Sequence, residues 1–175
     1  MTTIAFIGFR GSGKTTLGRW LAKELGVPFV DTDEEVLKHL GFKTVSEAWE
    51  HVGETGWREA EFHVVPPLLE GEVVISLGGG APMITAVKKA LGATEVVFNL
   101  TASEDITSTR LASGSDRPEL SAGNREARLE RLPTYAMFGT CGIDTSYDLE
   151  STKSQILNFL NHGHQIPKTG PRPYF

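Results

Sequence analysis

The sequence predicts an α/β protein whose parallel five-stranded sheet is covered by helices on both faces. Three observations carry this. Short apolar runs alternate along the chain with longer stretches of helical period. The first run, residues 3–7, is almost continuously apolar, as expected of a strand buried on both faces. A glycine-rich segment then joins it to the first helical stretch.

The elements follow in order. After the strand at 3–7 and the turn at 8–13, Lys14–Leu25 reads as a helix with Leu17, Leu21 and Leu25 on one face. Gly26 and Pro28 supply its stop. Residues 28–30 form a second short strand, closed by Asp31-Thr32-Asp33, and 34–70 is mainly helical with breaks near Gly41 and Gly53. A third strand spans 73–77 and runs into Gly78-Gly79-Gly80, followed by a helix over 84–91. A fourth strand at 95–100 precedes a helix over 104–111. Residues 112–123, rich in Ser, Gly, Asp and Pro, are expected to form a mobile lid. A helix at 124–137, a fifth strand at 141–144 and a helix at 149–160 complete a single domain over 1–160. The remainder, 161–175, reads as an irregular tail, and His162 and His164 within it as solvated side chains rather than a metal site.

Composition bounds the function. The 175 residues carry 17 Lys plus Arg against 22 Asp plus Glu, a net charge of -5. An acidic chain is a poor binder of phosphate backbones, so no nucleic-acid partner is expected. An anionic substrate must instead be drawn in by a local group of Arg and Lys. The single cysteine, Cys141, excludes an internal disulfide and reads as a small buried apolar residue near a strand. No apolar run is long enough to span a bilayer, and the first residues lack a basic leader. The expectation is a cytoplasmic monomer with no membrane partner.

Chemistry enters with Gly8-Phe9-Arg10-Gly11-Ser12-Gly13-Lys14-Thr15, which matches G-x-x-x-x-G-K-[ST] at every fixed position. Its glycines allow the backbone N–H groups of Gly11, Ser12 and Gly13 to point at phosphate oxygens, and the following helix N-terminus adds partial positive charge. Lys14 reaches the β- and γ-phosphates and the Thr15 hydroxyl coordinates Mg²⁺. A strand before the motif and a helix after it make this a three-layer P-loop NTPase fold. The chain is too short for motor domains and lacks an Asn-Lys-x-Asp guanine reader, which leaves a small kinase.

Asp31-Thr32-Asp33 ends the second strand, where carboxyl ends of parallel strands border the ligand crevice. Strand alternation puts Asp31 and Asp33 on one side, allowing one acid for Mg²⁺ and one for a substrate hydroxyl. The bland alternative is an acidic turn capping the next helix. Gly78, Gly79 and Gly80 cost backbone entropy in succession, so close approach of a ligand explains them better than a simple strand exit.

Taken together, the P-loop, Pro28-Phe-Val-Asp-Thr-Asp33, Gly53-Glu-Thr-Gly-Trp-Arg58-Glu-Ala-Glu61, Ser76-Leu-Gly-Gly-Gly80, Asp116-Arg-Pro118 and Arg131-Leu-Pro-Thr-Tyr135 resemble the shikimate kinase family in order and spacing, over residues 3–160. The resemblance implies a nucleoside-monophosphate-kinase-like fold and ATP-dependent phosphorylation of the shikimate 3-hydroxyl, with Mg²⁺ as cofactor. It implies that Asp33 binds the acceptor hydroxyl and Asp31 stands behind Mg²⁺. Arg58 and Arg131 would grip the substrate carboxylate, and the Gly79 N–H would contact substrate. Arg117 would touch ATP phosphates from the lid and Arg110 would flank adenine, with Thr16 completing the ATP-binding residues. Residues 33–62 become the substrate-binding region. Without the family, the alternative for Arg58 is a solvated helix arginine paired with Glu54 or Glu61.

The chain departs from the family pattern in places. Trp57 and Trp49 stand where phenylalanines are usual, Glu119 follows Arg117-Pro118, and Ser146-Tyr147-Asp148 lacks the usual Arg and Pro near adenine. Two rival readings are a kinase for another carboxylated polyol such as gluconate and a non-catalytic nucleotide-binding regulator. The Trp57-Arg58 pair with Gly78 to Gly80 opposes the first. The intact Lys14, Thr15, Asp31, Asp33 and Arg117 oppose the second.

Overall fold

The computed structural model describes residues 2–112 and 123–162. Arg117, the interior of the lid expected over 112–123, and the tail beyond His162 lie outside the described residues. Five strands form one sheet: β1 (Ile4–Gly8), β2 (Phe29–Asp31), β3 (Val74–Ser76), β4 (Val96–Thr101) and β5 (Cys141–Asp144). Their order is β2-β3-β1-β4-β5, and every pairing is parallel.

Burial of both faces follows from the two-residue period of a strand. In β1, Ala5 and Ile7 face one apolar cluster while Ile4 and Phe6 face the other. In β4, Val97 joins the first cluster, and Val96, Phe98 and Leu100 join the second. The second cluster is closed by α1 (Lys14–Leu25) and α7 (Leu149–His162), through Leu17, Leu21 and Ile156. Phe6 stacks on Phe98 at 5.2 Å, and Phe159 of α7 meets Phe98 edge-on. The first cluster is closed by α3 (Val45–Leu68), α4 (Thr85–Ala93) and α6 (Gly123–Phe138), through Val65, Leu91 and Tyr135. Fully burying each such leucine or valine contributes about 1.5–3 kcal/mol, so the clusters hold the layers on the sheet.

A third, smaller cluster lies away from the sheet, between α2 (Thr32–Leu40) and α3, around Val36, Ala48, Trp57 and Ala60. The two glycines read as breaks act differently. Gly41 ends α2 with a left-handed φ of 79°, whereas Gly53 kinks α3 internally at φ 66°. Three expectations are corrected. Helix α2 begins at Thr32, so Asp33 sits in its first turn and not on the strand. Helix α7 continues through Asn161 to His162, whose ring Nδ1 lies 3.0 Å from the Asn158 carbonyl oxygen. Cys141 lies on β5, half-buried rather than buried.

The sheet order places β1 at the centre, with β3 on one side and β4 on the other. The chain reverses direction across the sheet here, and the crevice at the strands' carboxyl ends is where such folds bind ligands. Residues 102–112 form α5 (Glu104–Ala112) and its approach, bordering the same end.

Candidate active site

A cleft of about 800 Å³ lies over the P-loop, bordered by Lys14, Thr15, Asp31, Asp33, Arg110 and Thr145. The loop's shape comes from glycine. Gly8, Gly11 and Gly13 have φ of 142°, 78° and 94°, conformations that a side chain would strain. The Lys14 ammonium donates to the Gly8 and Phe9 carbonyls at 2.9 and 3.0 Å, so the loop curls round the amine. Gly11, Gly13 and Thr16 also line the cleft. Ser12 does not: its hydroxyl is buried without a hydrogen-bond partner among the described residues, and its carbonyl accepts from Thr145 Oγ1 at 2.9 Å.

The Thr15 hydroxyl donates to Asp31 Oδ2 at 2.9 Å, with Ser76 Oγ 3.5 Å away. Asp31 and Ser76 are register partners at the ends of β2 and β3, which explains their meeting. The capping reading of Asp31 holds, and the residue also lines the cleft. It is the N-cap of α2, accepting from the Asp33 N–H at 3.0 Å, while its other oxygen serves the cleft. Arg110 reaches back to the P-loop and to the exit of β5, donating to the Gly11 carbonyl at 3.2 Å and to the Thr145 carbonyl at 2.8 Å. Tyr147, the departure near the adenine side, also lines the cleft.

A second, much smaller cavity adjoins the first, lined by Trp57, Arg58, Glu61, Gly79 and Arg131, with Asp33 shared between the two. Arg58 pairs with Glu61 Oε2 at 2.6 Å and, more loosely, with Glu54 at 3.5 Å. The pairing foreseen as the non-functional alternative is therefore present, and it holds the arginine at the cavity wall. Burial alone would lower the pKa of the Arg58 guanidinium, but Glu61 and Glu54 outweigh it and raise it. Burial likewise pushes the Glu61 carboxyl above the ordinary range. Nearby Asp33 adds to the rise and Arg58 opposes it. Glu61 Oε1 is buried and makes no hydrogen bond of ordinary geometry among the described residues.

The three glycines line this cavity, and the protein's own side chains also constrain them. None has a positive φ. A Cβ on Gly78 would overlap Asp33 Oδ1, and one on Gly80 would overlap the Arg58 guanidinium. The space is thus taken by the protein's own site residues. Gly79 is the roomier position, with Arg131 Nη1 3.4 Å from where its Cβ would stand. Its carbonyl accepts from the buried Tyr135 hydroxyl, whose pKa burial pushes up to about 12. Arg131 and Tyr135, four residues apart on α6, both approach Gly79.

Thr32, Glu61 and Tyr135 were missed as site residues. Thr32 Oγ1, fully buried, accepts from the Gly78 N–H at 2.8 Å and so joins β2 to the glycine turn. Of these only Glu61 had a visible signal, its i,i+3 spacing from Arg58.

A family model described as shikimate kinase matches residues 10–161. The shikimate kinase of Thermodesulfovibrio yellowstonii is 36% identical, over 83% of this chain and 86% of that protein. The shikimate kinase of Mycobacterium avium is 39% identical, over 80% of this chain and 82% of that one. Among solved structures, the Acinetobacter baumannii shikimate kinase in complex with shikimate superposes with a TM-score of 0.82 at 28% identity, covering 95% and 96% of the two chains. A gluconokinase from Sinorhizobium meliloti reaches 0.56 at 18% identity, a likeness of fold alone. With model, relatives and structures in agreement over most of its length, the chain belongs to the shikimate kinase family.

Proposed function

We propose that this enzyme transfers the γ-phosphoryl group of ATP to the 3-hydroxyl of shikimate. The observation that carries it is the pair of adjoining cavities with Asp33 on their common wall, the P-loop in one and two arginines in the other. Phosphoryl transfer needs mainly alignment and cationic stabilisation, and this arrangement supplies both.

In the nucleotide cavity, the N–H groups of residues 11–16 and the Lys14 ammonium hold the phosphates, while Arg110 borders the base. Arg117, by the family resemblance, adds a phosphate contact. A hydroxyl and a carboxylate 2.9 Å apart beside the P-loop suit Mg²⁺, which takes oxygen ligands and keeps several waters. Thr15 would donate one oxygen and Asp31 would stand behind it. When bound, the ion neutralises charge on the phosphate oxygens.

In the acceptor cavity, Arg58 and Arg131 grip the carboxylate, for which a planar guanidinium offers two parallel hydrogen bonds. Gly78, Gly79 and Gly80 form the wall, with the Gly79 N–H toward substrate. Asp33 aligns the hydroxyl and accepts its proton. Residues 33–62 act as the substrate-binding region and 112–123 as the lid of one domain. The expected setting is a cytoplasmic monomer. Among the described residues no helix is long and apolar enough to cross a membrane.

The test is ADP release in a coupled assay with shikimate, with gluconate and with no acceptor. Turnover with shikimate alone is expected. Equal or greater turnover with gluconate, or release that ignores the acceptor, overturns the reading.

A further inference from the structure

The residues common to the walls of both cavities are Arg10, Asp33 and Val45. Of these only Arg10 is a cation. It lies within the P-loop at a position the nucleotide motif leaves free, and is only 8% exposed. Its backbone nitrogen sits 3.7 Å from where a Cβ on Gly79 would stand, so the loop at this point abuts the glycine turn of the acceptor side. Lys14 lines the nucleotide cavity and not the acceptor one; Arg58 and Arg131 line the acceptor cavity and not the nucleotide one. Arg10 is thus the cationic residue that lines both cavities among the described residues.

We propose that Arg10 is a catalytic residue that contacts the phosphoryl group in transit and then the phosphomonoester of the product. The inference rests on the assignment of the two cavities to ATP and shikimate. The acceptor oxygen bonds to the γ-phosphorus while the bond from that phosphorus to the β–γ bridging oxygen breaks, its electron pair leaving with ADP. The hydroxyl proton passes to Asp33. Negative charge on the three peripheral phosphoryl oxygens is thereby carried from one cavity to the other. A guanidinium stays protonated throughout and presents several donors in one plane, so it can follow that charge without a proton transfer of its own. Its burial strengthens the interaction, because little water competes. The division of labour is by charge: Arg58 and Arg131 meet the carboxylate, which does not change, and Arg10 meets the group that moves.

The test separates these anions. Trp49 and Trp57 line the acceptor cavity, so their fluorescence reports binding there. In Arg10→Met, kcat is expected to fall about 10²- to 10³-fold, the usual loss for one donor aimed at developing charge. The Kd for shikimate should stay within about twofold while that for shikimate 3-phosphate rises about tenfold or more. A kcat within a few-fold of the parent, or equal weakening of shikimate and its phosphate, overturns the proposal. Equal weakening would make Arg10 a third carboxylate arginine. Arg10→Gln carries the same two measurements if the Met variant does not fold. Asp33→Asn and Arg58→Ala are run in parallel. If both leave kcat and shikimate affinity intact, the cavity assignment itself is wrong. If they act as expected and Arg10→Met does not, only the role of Arg10 falls.

Discussion

The phosphate cradle on the nucleotide side is one contiguous stretch, residues 8–16, whereas the acceptor cavity is assembled from segments distant in sequence, among them 45–49, 57–61, 78–80 and Arg131. On the nucleotide side, positive-φ glycines and a helix N-terminus dictate the geometry locally. On the acceptor side several groups are placed by others distant in sequence. Thr32 holds the Gly78 N–H, Tyr135 holds the Gly79 carbonyl, and Gly80 leaves the space that Arg58 occupies. A loop that encodes its own shape can serve many acceptors unchanged. An acceptor pocket held by long-range contacts changes when any one of its segments moves.

The comparison predicts separable defects. The largest should come from the reacting centre. Asp33→Asn is expected to cut kcat roughly 10²-fold or more with ATP affinity intact, since alignment of the hydroxyl is lost and the phosphate cradle is not. Lys14→Ala should lower kcat and weaken ATP together, with shikimate binding unchanged. Steady-state kinetics with each substrate varied checks both. A crossed pattern, with Asp33→Asn weakening ATP, would merge the two sides into one.

Next is Gly80→Ala, whose methyl group must displace the Arg58 guanidinium. The KM for shikimate should rise about tenfold or more, as expected when a bidentate charged contact is lost, while the KM for ATP stays within about twofold. An unchanged shikimate KM would show that Arg58 does not hold the acceptor. Thr32→Val tests the long-range hydrogen bond. It keeps the shape but leaves the buried Gly78 N–H unpaired, at a cost of about 1–3 kcal/mol. For a chain of this size the melting temperature should drop by roughly 2–4 °C per kcal/mol. No drop would mean that the glycine turn does not depend on β2.

The smallest effect concerns Glu61. Burial raises its folded pKa above the unfolded value, so in the intervening window the native state binds more protons. Its contribution to stability is then complete below the ordinary glutamate range and is lost as pH rises through the raised value. Melting temperatures of the parent and Glu61→Gln, compared across weakly acidic pH, should show the parent's relative advantage falling as pH rises. A difference that grows with pH would reverse the sign and place Glu61 among carboxylates stabilised in their charged form.

Much of this was legible beforehand, for reasons visible in particular residues. The strand at 141–144 was located to the residue. The P-loop was legible because G-x-x-x-x-G-K-[ST] is a backbone requirement written in residue types. Asp31 and Asp33 do line the same cleft, but not on the geometric basis expected. Helix α2 starts two residues earlier than expected, and Asp33 turns toward the cleft from a helix rather than from a strand. The glycine triplet was identified, but a second reason for it was not. What fills the space beside Gly78 and Gly80 is Asp33 and Arg58, and no local reading of 78–80 contains those side chains.

By itself the sequence determined the alternation of strands and helices, the phosphate cradle and the residue types available for the acceptor. These depend on periodicity and on the conformational preferences of glycine and proline, which act over a few residues. Only the tertiary structure decided which charges share a wall, and that Arg10 and Asp33 stand at the junction of two cavities. Those facts follow from the strand order β2-β3-β1-β4-β5, which brings distant carboxyl ends together in one crevice. Pairing between strands far apart in sequence is chosen by burial of the whole sheet, and no single segment carries that information.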